Sequence, residues 1–361
     1  MSSIEEQRIA SLTVDVKTRN IETRNGHGAM VISLDFELYW GVRHLPSLKG
    51  YVCNLVGARV AIPAILNLFK EYGIHATWAT VGFLFFERTS QLLRIAPMHR
   101  PLYKNRKLVA YDDLPPESER ESSDSIFFAP GLIRMIANTA NQEVASHSFS
   151  HYYSLEEGAD LESFRADLQS TRRAAWLSNF EIRSLVFPKN QERCDFLDVC
   201  AEAGIVAYRG NPSSWLYRPV ADAKQTAVRR LGRLLDSYLP LSGDNCGDWP
   251  LVNTGLPIRI PASRFLRPYS PLLSLFEPFR IARIKRSLTA AARKAQIYHL
   301  WWHPHNFGRN LAQNCEALKQ ILDHYRMLQR IYGMESLNMA EVADRCLGQG
   351  SLRSGLTVVR D

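Results

Sequence analysis

The spacing of apolar positions divides the chain into short and long segments that alternate. "MVISLDF" (30–36) is a compact run rich in Val, Ile and Leu, the pattern of a strand buried on both faces. "RVAIPAILNLFKEYG" (59–73) sets Ile62, Ile65, Leu66 and Phe69 at helical intervals and stops at Gly73. The alternation continues with a strand at 74–82 ("IHATWATVG"), a helix at 131–140, a strand at 143–148 ("EVASHS") and a helix at 160–178. A strand at 183–187 ("RSLVF"), a helix at 191–204 and a strand at 205–210 follow. The β-like stretch 256–263, the strand "IYHLWWH" (297–303), a long helix from Leu311 to Tyr332 and a short strand "ESLN" complete the series. Asn338 and Glu341 then have the spacing of a capping box.

Repeated β then α units predict parallel strands joined by crossover helices, in an open sheet or a closed barrel. A count of about seven or eight strands favours an α/β fold of the distorted (β/α)7–8 barrel type with long loop insertions. The expected organisation is a polar leader at 1–28, one barrel domain at 29–347 and a tail at 348–361. Two insertions interrupt the repeat. The first, 88–130, is rich in Pro, Glu, Ser and Asp and is expected to pass over the barrel mouth and face substrate. The second, 211–255, contains the basic amphipathic "QTAVRRLGRLLDSYL", and "PFRIARIKRSLTAAARKAQ" (278–296) is more basic still. Solvated helices covering the barrel are the first reading of both, and contact with an anionic membrane surface is the second.

Composition narrows the classes. With 46% hydrophobic and 22% charged residues in 361, the chain is of ordinary globular type. It has no uninterrupted apolar run of roughly 18 residues, and its first residues lack the apolar centre of a secretion signal, so a cytoplasmic location is expected. The 6 cysteines form no CxxC pair, which argues against a disulfide framework and a thiolate metal site. A net charge of +8 favours anionic partners, and no nucleic-acid motif accompanies it.

The chemistry gathers at predicted strand ends, where barrels place their sites. Asp35 and Glu37 are two apart and share one strand face; acids ending a buried strand need compensation, which a cation provides. "HSFSH" places His147 and His151 four apart, one helical turn, so both imidazoles can face one point. Spacing alone leaves a pair of capping histidines open. An acid beside two histidines is the ligand set of a catalytic metal, and a second acid free of the ion can take a proton from water. His303 and His305 end the last regular strand, and Trp40, Trp302, Lys189, Asn190, Arg209 and His305 are the expected substrate contacts.

These residues resemble, in motif order over about 30–310, the polysaccharide deacetylases, also called NodB-homology or carbohydrate esterase family 4 proteins. "SLDFE" resembles the first motif, "HSFSH" matches the second without change, and "HLWWHPHNFG" resembles the fifth. The resemblance implies Asp35 as general base, Glu37, His147 and His151 as ligands of one divalent ion, zinc by preference, and His303 as general acid, with His305 its rival. The third motif departs: "LVFPKNQ" has Val186 where an arginine would orient the base, leaving Lys189 or Asn190 to substitute. The implied activity is metal-dependent removal of a small N-acyl group, acetyl or formyl, from an amino sugar during surface polysaccharide or O-antigen biosynthesis. A cytoplasmic enzyme of this kind would act on a nucleotide-linked or lipid-linked sugar. An allantoinase-like amide hydrolase and a catalytically impaired glycan-binding pseudoenzyme are the alternatives.

Overall fold

The computed structural model describes residues 26–44, 48–122, 125–221, 225–250 and 255–355. Strands and helices alternate as β1 (Ala29–Phe36), α1 (Val52–Tyr72), β2 (Ala76–Thr80), α2 (Pro130–Ala137), β3 (Gln142–Ser146), α3 (Leu161–Leu177) and β4 (Ser184–Leu185). Next come α4 (Leu197–Glu202), β5 (Ala207–Gly210), α5 (Ala227–Asp236), β6 (Ile258–Pro261), β7 (Arg264–Phe265), α6 (Glu277–Arg293) and β8 (Ile297–Trp302). The series ends with α7 (Leu311–Tyr332), β9 (Glu335–Leu337) and α8 (Met339–Gly355).

The strands form one 9-stranded sheet in the order β6-β5-β4-β3-β2-β1-β8-β7, with β9 beside the start of β1, and every named pairing is parallel. The expected strand at 256–263 is two strands. Ala262 N donates to Gly210 O (2.8 Å) on β5, and the next amide, Ser263, donates to His299 O (2.8 Å) on β8. One peptide step therefore carries the chain from one edge of the curled sheet to the other and draws it into the expected distorted barrel.

Alternation along β1 sorts its side chains. Met30, Ile32, Leu34 and Phe36 join the large core with Ile62, Ile65 and Phe69 of α1 and Leu318 and Ile321 of α7. Each such side chain contributes about 1.5–3 kcal/mol by leaving water. Ala29 and Val31, on the other face, join Ala207, Ile258 and Ile260 in a smaller cluster that includes Val342 and Ala343 of α8. That leaves Ser33 and Asp35, further along the same face, as buried polar groups. The capping box at α8 forms as its spacing predicts: Glu341 N donates to Asn338 Oδ1 (2.9 Å) and Asn338 N donates to Glu341 Oε2 (2.8 Å).

Several expectations are corrected here. Residues 348–355 continue α8, so a tail starting at 348 is too early; residues 356–361 and 1–25 of the expected tail and leader lie outside the described residues. By length and composition α1 could cross a membrane, yet nine of its residues, Asn54, Leu55 and Phe69 among them, are buried against the rest of the protein. The 88–130 excursion packs beside the start of the barrel mouth: Tyr39 N donates to Ile126 O (3.2 Å), Trp40 Nε1 to Phe127 O (2.9 Å) and Arg43 to Asp113 (2.6 Å). None of its described residues lines either cleft that opens at His303; residues of the second insertion line one of them instead.

Candidate active site

β1 delivers Asp35 and, one residue past its end, Glu37; both are nearly inaccessible to solvent. Leu38 follows with a left-handed φ of 43°, turning the chain sharply, and a Cβ on Gly41 would overlap the Glu37 carboxylate. Glycine at 41 thus leaves room for the acid. His147 and His151 are not on a helical turn as four-residue spacing suggested. They flank a bent loop in which Ser148 and His151 have φ of 59° and 58°. Asp167 of α3 holds that loop by accepting from Phe149 N (2.6 Å), Ser150 N (3.1 Å) and Ser150 Oγ (2.5 Å).

The loop brings both rings to Glu37. His151 Nε2 lies 3.0 Å and His147 Nε2 3.3 Å from Glu37 Oε2, and the three ligand atoms fall within 4.8 Å of one another. His147 Nδ1 meets Val186 O at 2.8 Å; a carbonyl only accepts, so Nδ1 carries the proton and Nε2 presents its lone pair. That buried Nε2 has no hydrogen-bond partner among the described residues. An orphaned acceptor of this kind costs about 1–3 kcal/mol, and a cation between it and Glu37 removes the cost. Burial pushes His151 down to about 4, so its imidazole is neutral at ordinary pH. Burial would raise Glu37, but His303, His147 and His151 hold it well below its ordinary value. An anionic carboxylate beside two imidazoles is the kind of donor set that a divalent ion takes.

Asp35 faces a different partner. Arg209 Nη1 and Nη2 each donate to one of its oxygens at 2.7 Å, and Arg209 also reaches Ser33 Oγ (3.0 Å) and Asn190 Oδ1 (3.2 and 2.7 Å). Burial opposes ionisation of Asp35, but Arg209, with His147 and His303 behind it, outweighs this and lowers its pKa. Arg209, expected as a substrate contact, is 2% exposed and orients Asp35 instead. It comes from β5, filling the role vacated where Val186 packs in the core. Asn190 supports it from behind, while the Lys189 ammonium lies 4.7 Å above the Tyr153 ring.

His303 stands at the end of β8 with Nε2 3.3 Å from Glu37 Oε1 and 3.8 Å from Asp35 Oδ2, its side chain 24% exposed. His305 is buried, its ring stacked on that of His303 at 5.1 Å, and burial pushes its pKa to about 3. Glu37, His303 and His305 also bring three ligand atoms within 4.8 Å. Both tryptophans expected to meet substrate are core residues. Trp40 is fully buried against Phe83, and Trp302 is fully buried and stacked on Phe307. Half-buried Trp301, on the opposite face of β8, is the tryptophan nearest the acids and lies under the Arg209 guanidinium (4.2 Å). Trp301 lines a cleft of about 200 Å³ with His303, Lys189 and Asn190. His299, on the same face, contacts Ser33 Oγ (2.8 Å) below Asp35. Counting back in twos from His303 finds both residues in the sequence.

No family model and no curated protein matches the sequence. Solved structures do. A protein of Mycobacterium smegmatis provisionally named a polysaccharide deacetylase superposes with a TM-score of 0.57 and 15% identity, over 90% of this chain and 92% of its own. PuuE allantoinase gives 0.51 and 13%, over 88% and 89%. A provisionally named polysaccharide deacetylase of Pseudomonas aeruginosa PAO1 gives 0.50 and 12%, over 88% and 90%. With a sheet of parallel strands and crossover helices matched over nearly its whole length, the chain has the fold of the polysaccharide deacetylase and allantoinase structures.

Proposed function

We propose that the protein is a metal-dependent N-deacylase that removes acetyl or formyl from an amino sugar in the cytoplasm, in the assembly of a surface polysaccharide such as O-antigen. The observation that carries this reading is the division of labour between the two acids. Glu37 belongs to the histidine pair, while Asp35 is held by Arg209 with both oxygens engaged. A divalent ion, zinc in this reading, would be held by Glu37, His147 and His151 and would supply Lewis acidity to the acyl oxygen and to water. Asp35, kept ionised, takes the proton of the attacking water. His303 Nε2, beside both carboxylates and open to the cleft, hands a proton to the leaving amine. His305, buried and neutral, is the weaker candidate for that donor. Trp301, half-buried in the cleft wall, offers indole surface for the sugar, and Lys189 and Asn190 border it.

An allantoinase-like reaction uses the same atoms on a cyclic ureide, and the PuuE likeness favours it as the second reading. Arg209 in the orienting role weakens the case for an impaired pseudoenzyme. The test is metal analysis together with amine release from N-acetyl and N-formyl amino sugars, run beside allantoin. Release from the sugars, lost with a chelator and restored by zinc, is expected. Ring opening of allantoin alone would install the second reading, and inertness of the metal-loaded protein toward every substrate would overturn both. In parallel, His147→Ala with His151→Ala should abolish metal retention.

A further inference from the structure

Helix α5 is packed inside out. Val228, Leu231 and Leu235 fall three and four apart on one stripe, and that stripe faces solvent, with exposures of 74%, 56% and 43%. Arg229, Arg233 and Asp236 turn toward the protein. Arg229 donates to the carbonyl oxygens of Trp215 (3.4 Å), Leu216 (3.4 Å) and Arg218 (2.7 Å), and Arg233 donates to that of Leu216 (3.0 Å). Asp236, fully buried, accepts from Tyr217, Ser242, Arg264 and Arg283. A helix that covers a barrel in water has the opposite order. The apolar surface continues onto the segment before α6, where Leu272 and Leu275 are 94% and 85% exposed. The two segments are joined: the Tyr238 and Phe276 rings lie 6.1 Å apart, and Arg267 Nε donates to Ser237 Oγ (3.1 Å). A contiguous patch of this kind marks an interaction surface.

Its charges select the occupant. Arg230 stands exposed on the helix, and Arg218, Arg233 and Arg267 line the adjoining cleft that leads to Trp301 and His303. Among the described residues no carboxylate comes within ion-pair distance of these four, since the nearby acids Asp236 and Glu277 are engaged by Arg264, Arg283 and Arg280. Among the described residues that line the cleft there is no Asp or Glu. Exposed leucines bordered by unneutralised arginines suit an anionic lipid surface, where the apolar stripe enters the interface and the cations meet headgroups. We propose that this face docks on an anionic bilayer, and that the cleft takes from it an N-acyl sugar carried on a lipid phosphate, the phosphate lying among Arg218, Arg233 and Arg267. The docking half stands by itself; the substrate half rests on the hydrolase reading above.

The full chain sedimented with phosphatidylglycerol–phosphatidylcholine vesicles should be retained, less so as salt is raised, and phosphatidylcholine alone should hold it poorly. Leu231→Ser with Leu235→Ser should cut retention about tenfold or more with an unchanged melting temperature, since both side chains lie on the surface. Equal retention of variant and wild type, or no preference for the anionic lipid, would overturn the docking. So would a lipid-free dimer that the variant dissolves into monomers, because the face would then belong to a second copy. For the cleft, Arg233→Gln with Arg267→Gln should weaken calorimetric binding of inorganic pyrophosphate about tenfold or more. It should also raise KM for a lipid-phosphate-linked N-acyl sugar far more than for the unphosphorylated sugar. Unchanged pyrophosphate binding would remove the phosphate site, and preferred turnover of a nucleotide-linked sugar would remove the lipid carrier. Amine release from no N-acyl sugar, with vesicle retention intact, would refute the hydrolase reading and not the docking.

Discussion

Asp35 is flanked by a fixed cation on one side and by His303 on the other, so its loss should be felt in turnover and not in metal content. Asp35→Asn is expected to lower kcat by about two to four orders of magnitude, with the ion still bound by mass spectrometry or elemental analysis. Arg209 acts through Asp35. Arg209→Met should lower kcat while leaving KM near its original value, and Arg209→Lys should rescue only part of the loss, because an ammonium cannot bridge both carboxylate oxygens. Gly41 is the less visible requirement: Gly41→Ala places a methyl group where the Glu37 carboxylate sits, and reduced metal affinity at near-wild-type stability is the expected signature. The two adjacent tryptophans separate cleanly. Trp302→Ala should destabilise by about 3–5 kcal/mol in denaturant unfolding, whereas Trp301→Ala should chiefly raise KM. The acids were legible in the sequence through their two-residue spacing at a strand end, whereas the histidine pair was legible through its match to the HSFSH motif, its spacing alone suggesting a helical turn where the chain forms a bent loop. Arg209 was assigned the wrong partner because an arginine on an apolar strand reads equally as a ligand for substrate or for a buried acid, and only the fold brings β5 to β1.

Among the elements, α7 runs over the residues that its pattern predicts, and the capping box of α8 forms as spaced. The pattern of α5 was equally plain, but a periodic stripe defines two faces without saying which one meets the protein. Asp236 decides it: Arg264 Nη1 at 3.1 Å and Arg283 Nη2 at 2.9 Å tie the end of α5 to β7 and α6. Burial would raise the pKa of this acid, but Tyr217, Ser242 and Arg264 outweigh it and set it below 3.8. A lowered folded pKa means that its stabilisation is complete above the unfolded value and fades as pH falls through the folded one. Wild-type stability should therefore include an Asp236 contribution that is steady at neutral pH and lost below about pH 3.8. Asp236→Asn should remove that acid-dependent part and cost about 3–5 kcal/mol in urea unfolding at neutral pH, as two buried guanidinium groups lose their counter-charge. A second contact between elements has no slack at all. Gly57 of α1 abuts Gly308, just after the His303–His305 turn, and a Cβ at 308 would overlap the Asn54 carbonyl. Gly308→Ala should destabilise by about 1–3 kcal/mol and slow turnover together, since relief of the overlap moves the turn that carries both histidines.

At the scale of the whole molecule, β then α repetition predicted the parallel barrel, since right-handed crossovers allow few other arrangements. The role of the insertions was reversed because composition alone does not say to which side a long loop folds: 88–130 packs beside α1 and Trp40, and 211–255 walls the cleft. Nor does a pattern of apolar residues show where a barrel closes. Here closure falls on a single peptide step, Ala262 to Ser263, whose two amides point to opposite edges of the sheet. β1, in contrast, is paired along both sides, to β8 and to β2 with β9. A ring with one such clasp has a built-in order of opening. Thermal fluctuations should part it at 262–263 first, so these two amides should exchange with deuterium through a small local opening while Ile32 and Leu34 exchange only on global unfolding. Because Ala262 of the clasp and both residues of β7 beside it also border the cleft, each opening would briefly widen the entrance, and substrate entry and barrel breathing would share one motion.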